Sequence, residues 1–316
     1  MNRGRANIAL LFTAILWGSG NVVQQSVLQH IGPITAVGLR CMIASLIVLP
    51  FAWRSGGLSF KLEKHARGWA TLTISAFAIA LTLLQIGFGR TTVTNASFLV
   101  NTASVMTPLC CWLFLRHKPA IVVWIAALST LIGTCLMSEG SLTAFHVGDI
   151  LCLLSALSYS IWMVSLGQFV SKCGHAVHIS LMQFLATGFV CTIIGLAVEP
   201  LSVSGLISAV PHLIFLGVFS TGIGYLLQAI AQTGTTASEA SIILSSEAIF
   251  GGLGGILVLG ERLSLTAIAG SALIFGGIIV MELPFRKMGK ILRTQSNLQM
   301  QGSKNINPYL FEMTFH

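Results

Sequence analysis

Charge is what this sequence has least of. Only 8% of its 316 residues are Asp, Glu, Lys or Arg, and nine acidic residues face seventeen basic ones. A soluble domain carries about 25% charged residues, so a water-soluble globular enzyme is excluded. The signatures of catalysis and of cofactor binding are missing too. Neither GxSxG nor HExxH occurs, and no Ser–His pair is available inside an apolar run. The histidines (His30, His65, His117, His146, His175, His178, His212 and His316) fall in loops, at helix ends or in the tail. His175 and His178 alone make a poor metal site, because structural zinc takes four ligands. No glycine loop suited to cradling phosphates is present, which argues against ATP as a driving force. None of the seven cysteines forms a CxxC pair, and six of them, all but Cys173, lie in apolar runs as small packing residues. The expectation is no catalytic residue, no metal and no cofactor.

What is there is apolar length. Hydrophobic residues make up 54% of the chain, and a bilayer core needs about 20 apolar residues per crossing. Ten stretches qualify: 6–28, 33–53, 69–89, 95–115, 120–138, 147–169, 177–198, 208–230, 236–259 and 265–283. The fold class expected is therefore all-α integral membrane. The first stretch is long for a signal peptide and has no small-residue cleavage site, so it is read as retained. The net charge of +8 is explained by topology and not by nucleic acid. With the N-terminus inside, the inner loops and both tails hold Arg3, Arg5, Arg54, Lys61, Lys64, Arg67, Arg116, Lys118, Lys172, Arg286, Lys287, Lys290, Arg293 and Lys304, fourteen of the seventeen. Arg90 and Arg262 fall outside. This is the positive-inside pattern. It predicts a multi-pass protein of the inner (plasma) membrane with both termini cytoplasmic.

The chain also repeats itself. TTVTNASFLVNTASVMTPLCCWLFLRHK (91–118) returns 144 residues later as TTASEASIILSSEAIFGGLGGILVLGER (235–262), without a gap. Thr91 and Thr92 fall on Thr235 and Thr236, Ala96 and Ser97 on Ala240 and Ser241, and the register continues to Gly133 and Met137 on Gly277 and Met281. Tyr159 stands opposite Trp17 in a looser match of the sixth span to the first. Five spans per copy is an odd number, so the second copy is flipped across the membrane. The architecture expected is ten transmembrane helices as two inverted five-helix repeats, 1–140 and 141–284, joined by the acidic connector 139–149. A polar tail, 285–316, follows and is expected to be disordered. Transporters use this inverted arrangement, with the solute site near the midplane between the halves.

Taken together, AILWGSG (14–20), Arg40, SSEAIFGGLGGILVLGERLS (245–264) and the ungapped echo with Pro108 resemble the drug/metabolite transporter superfamily, specifically its ten-helix EamA-type members. The resemblance covers about residues 6–283. It departs at Ala248, where the family usually has a proline after the mid-helix glutamate. It implies a secondary transporter of a small organic metabolite (amino acid, nucleoside, vitamin or drug-like solute), used as an exporter by alternating access and not as an enzyme. A lipid-carrier flippase of the same superfamily is the alternative, and an intramembrane enzyme is a third reading. The partners expected are a small-molecule substrate, the lipid bilayer and protons as coupling ion, with no nucleic acid.

The candidate site residues are polar or aromatic groups at depth. Glu247 lies mid-span, where an ionised carboxylate is costly unless protonated, paired or facing a wet cavity. It is either a coupling group or a packing carboxyl bonded to nearby hydroxyls. Arg40 is the other intramembrane charge, either snorkelling to the surface or facing a cavity. Trp17, Tyr159 and Trp162 offer a stacking surface for an organic solute, or else packing. Asn21, Gln85, Asn101 and Gln228, with Gln183, are buried amides that bind substrate or join helices. Pro108 is expected to kink the fourth span by removing a backbone donor.

Overall fold

The computed structural model describes residues 1–57, 64–116, 118–137, 146–259 and 264–282. Among these the chain is helical throughout, with no strand. In order run α1 (Arg3–Val27), α2 (Pro33–Arg54), α3 (Lys64–Phe88), α4 (Val93–Asn101), α5 (Ala103–Leu115), α6 (Ile121–Met137), α7 (Val147–Cys173), α8 (Ala176–Val198) and α9 (Val203–Phe215). A π-helical segment, Leu216–Gly224, leads into α10 (Tyr225–Ala231), followed by α11 (Ala237–Leu244), α12 (Glu247–Leu259) and α13 (Leu265–Glu282). These correspond to the ten expected spans, three of which are built from more than one piece.

Six of the runs are long and apolar enough to cross a bilayer: Pro33–Arg54, Ala66–Phe88, Asn95–Leu115, Val147–Cys173, Ala176–Val198 and Val203–Ala231. Ile121–Met137 and Leu265–Met281 are shorter apolar helices. Helix α1 carries Asn21, Gln24, Gln25 and Ser26 in its second half. Large apolar side chains such as Leu46, Leu113, Ile121, Phe189, Val203 and Leu265 stand exposed on the outside, as a surface that meets lipid requires.

Helix starts follow from local chemistry. Equivalent threonines cap equivalent helices: Thr92 Oγ1 accepts from Asn95 N at 3.2 Å to start α4, and Thr236 Oγ1 accepts from Glu239 N at 3.2 Å to start α11. Helix α2 opens on Pro33 and has no cap of its own. Its cap comes from another helix. Glu199, just past α8, accepts from Ile34 N at 2.9 Å, Thr35 N at 2.8 Å and Thr35 Oγ1 at 2.7 Å. A carboxylate at a helix N-terminus is favourably placed against the helix dipole.

The interruptions do not fall where prolines suggest. Pro108 lies inside a continuous α5, and the break in the fourth span comes at Thr102, six residues earlier. Its counterpart in the ninth span comes at Ser245–Ser246, where no proline stands nearby. Hydroxyls at both breaks bond back to the preceding turn. Thr102 Oγ1 donates to Leu99 O, Ser245 Oγ to Ile242 O at 2.6 Å and Ser246 Oγ to Ile243 O at 2.7 Å. Such back-bonds compete with the helical ladder and bend it.

Packing crosses between the two copies of the repeat. The most extensive helix pairs are α3 with α7, α2 with α8 and α6 with α13. Helix α1 packs on α12, the π-helical segment, α10 and α11, all from the second copy, while α7 packs on α3, α5 and α4 from the first. Each copy has thus lent its leading span to the other. Small residues allow the closest approaches. A Cβ on Gly18 would lie 2.5 Å from Glu247 O and 2.7 Å from Gly251 N, so α1 and α12 touch backbone to backbone. Gly277, the counterpart of Gly133, would bring a Cβ to 2.9 Å from Ala126 O where α13 meets α6.

Two expectations lie outside the described residues: most of the connector (139–145) and the tail 285–316.

Candidate functional site

A cavity lies between the two packed groups, reached by α1, α2, α3, α4, α5, α7, the π-helical segment, α10, α11 and α12. Its free volume is about 60 Å³. It extends from mid-molecule towards the ends of α1 and α3, from Phe77 to Phe88 along α3 and from Trp17 to Gln24 along α1, and meets α4 along its second half, Ser97 to Asn101.

One wall is aromatic. Trp17 packs on Tyr225 with ring centroids 4.6 Å apart and meets Tyr159 edge-on at 6.0 Å. Phe77 stands edge-on to Tyr225 at 4.9 Å. The rings are held by hydrogen bonds. Trp17 Nε1 donates to the Ser220 carbonyl at 2.9 Å. That carbonyl belongs to the π-helical segment, a register often found at functional sites. The Tyr159 hydroxyl donates to Gln228 Oε1 at 3.0 Å.

Glu247 lines the cavity and is hydrogen-bonded by the Asn21 amide. The Ser245–Ser246 break changes its setting from the one expected. A mid-span carboxyl has become the first residue of α12, where helix-terminal amides favour negative charge. Its counterpart in the first copy is Ala103, which lines the same cavity beside Ser104 and Asn101. Asn101 Nδ2 is spent on Ser97 O at 2.9 Å.

Arg40 lines the cavity and is 1% exposed, so it does not snorkel to the surface. Its Nη1 donates to Gln24 Oε1 at 2.7 Å and to Gln85 Oε1 at 3.3 Å, and Gln85 Nε2 in turn donates to the Gln24 carbonyl at 3.1 Å.

Of the residues expected from sequence, the structure gathers Trp17, Asn21, Arg40, Asn101, Tyr159 and Glu247 on the cavity wall. Gln85, Gln228 and Trp162 stand one layer behind, each fully buried. Gln85 positions Arg40 and Gln228 positions Tyr159. Trp162 backs Tyr159 at 5.1 Å and donates to Gln183 Oε1 at 2.8 Å. Tyr225, Gln24, Phe77 and Ser220 complete the wall and were not among the expected site residues. Gln24 carried a signal as a polar residue at depth. Tyr225 carried little, because it falls on Leu81 in the repeat register.

The sequence profile of the EamA-like transporter family matches residues 4–139 and 146–283, once for each copy of the repeat. The chain belongs to the EamA-like transporter family. It is a membrane transporter. Among its EamA relatives, an uncharacterized transporter of Archaeoglobus fulgidus is 27% identical over 278 residues, covering 88% of this chain and 86% of that protein. The uncharacterized transporter YdfC of Bacillus subtilis is 27% identical over 282 residues, covering 88% and 91%. The uncharacterized inner membrane transporter YicL of Salmonella typhimurium is 26% identical over 304 residues, covering 91% and 98%. A solved crystal structure superposes with a TM-score of 0.76 at 18% identity, over 91% of this chain and 99% of that one, which shows a shared fold. Both matched segments of the EamA profile contribute walls to the cavity.

Proposed function

We propose that this EamA protein carries a small organic metabolite outward across the inner membrane by alternating access, in exchange for protons, with the cavity between the two packed groups as its solute site. The observation that carries the reading is the convergence there of both interrupted spans, one aromatic wall and two intramembrane charges. Interrupted spans at the meeting of inverted repeats are where transporters bind solute. The Salmonella relative, named as an inner membrane transporter, supports the compartment, and the basic inner loops support cytoplasmic termini. On that topology the cavity lies towards the outer half of the membrane. The moving bodies are the groups that pack together, α1 with the π-helical segment and α10–α12 against α7 with α3–α5, and not the two halves as they follow along the chain.

Coupling is assigned to Glu247. It is the carboxyl on the cavity wall, and exchange of solute for proton requires a group that changes protonation between the two access states. The test is metabolite profiling of cells with and without overexpression, followed by uptake of whatever changes into inside-out vesicles. Uptake that a proton gradient accelerates is expected. Unchanged profiles and no flux would refute the reading, and movement of a labelled lipid carrier in its place would turn the metabolite transporter into a flippase.

A further inference from the structure

We infer that Arg40 is the anion-recognition residue of the cavity, taking the carboxylate of a small aromatic acid with guanidinium donors that the protein leaves unpartnered. The inference rests on the transport reading only in treating the cavity as a solute site.

The first observation is a buried cation without a counter-ion. Arg40 is 1% exposed, and both of its hydrogen bonds among the described residues leave from Nη1 and end on neutral amides, Gln24 and Gln85. Its Nε has no partner among the described residues, and neither does Gln24 Nε2 on the amide that holds it. No ion pair to Arg40 occurs among the described residues. Glu247 lies on the same cavity wall but forms no ion pair with Arg40 among the described residues. A charge held at depth without a partner is costly and marks function.

The second observation is how the guanidinium is held. Two amide oxygens grip a single terminal nitrogen, which orients the fork while leaving Nε free. An arginine fork presents paired donors that match the two oxygens of a carboxylate. Gln24 Nε2 adds a further donor close by. The neighbouring wall is Tyr225 with Trp17 packed on it at 4.6 Å, so an acid seated on Arg40 would lay its ring on those aromatic faces.

The test uses the purified full chain and three probes of one shape and different charge: benzoate, benzamide and benzamidine. Thermal stability is measured as each is titrated. Benzoate is expected to raise the melting temperature, and the other two are not. Arg40→Gln should raise the half-saturation concentration for benzoate about tenfold or more, as loss of a charge-assisted hydrogen bond implies. Because that variant leaves a hole in a buried network, Gln24→Glu is the decisive one. It supplies Arg40 with an internal carboxylate at the 2.7 Å contact already present. The variant should melt no lower than wild type and lose the benzoate shift. If Arg40 serves only to join helices, Gln24→Glu keeps that shift, and the inference falls. It falls equally if benzamide or benzamidine stabilises as well as benzoate does, or if benzoate has no effect. A benzamide shift that Trp17→Ala abolishes would leave the solute cavity standing while removing the anion site.

Discussion

Trp17 and Tyr159 occupy matching places in the two copies of the repeat, and they meet across the cavity at 6.0 Å. Trp17→Ala removes the ring that packs on Tyr225 while leaving a residue any helix accepts. Transport is expected to fall several-fold with near-normal expression, because aromatic pairs are worth about 0.5–1.5 kcal/mol beyond area burial. Loss of folded protein, with no selective flux defect, would make Trp17 a packing residue only. Glu247→Gln keeps the shape and hydrogen-bonding capacity of a neutral acid but cannot titrate. Solute exchange at equal pH should survive in proteoliposomes, and uptake driven by a pH gradient should be lost. Full gradient-driven uptake by that variant would remove Glu247 from coupling. Both residues were legible in the sequence, Glu247 as a carboxyl in an apolar run and Trp17 through the repeat register. Gln85, Gln228 and Trp162 were legible as buried but not as standing behind the wall, because residue type reports depth and not direction. Tyr225 was not chosen as a site residue because its place depends on the π-helical segment that precedes it, a register the residues LGVFSTGIG do not announce.

At the scale of the element, close contacts are more informative than prolines. Gly18 lies against the backbone of α12, next to the break that exposes Glu247 to the cavity. Gly18→Ala puts a methyl group where backbone already stands, and overpacking of this kind costs about 1–3 kcal/mol. The melting temperature of purified protein should drop, whereas Gly4→Ala, where a Cβ meets nothing within 4 Å, should leave it unchanged. Equal effects at the two positions would mean that α1 and α12 are not held at this point. That such a glycine sits mid-span in WGSG was readable beforehand. Its partner was not, because a small residue shows that something comes close without showing what. The breaks were misplaced for a related reason. Proline is visible in a sequence as a lost donor, but a serine hydroxyl can bond back to its own helix or elsewhere, and only the folded chain shows which.

At the scale of the molecule, sequence spacing revealed the duplication and the number of spans, but chain order could not reveal that the leading spans change places. Cytoplasmic reporters fused after Arg67 and after Lys118 should be active, and fusions at His146 should report the outside. A cytoplasmic signal at His146 would overturn the inverted topology. If each packed group needs a span from the other copy, 1–140 made alone should be degraded, and so should 141–316. The two made together in one cell should recover full-length stability. A stable, monodisperse fragment 1–140 would show that the lent span is dispensable.

That exchange of leading spans has a consequence in time. Helix α1 is made first, and its partners α10, α11 and α12 are made more than 200 residues later. Until then the span carrying Asn21, Gln24 and Gln25 has only lipid, its early neighbours or the insertion machinery to shelter its amides. Closing so long a loop is slow compared with local pairing. The nascent protein therefore passes through a long interval in which its most polar crossing is also its least supported one, and quality control of this EamA transporter should act on α1 before any other part of the chain.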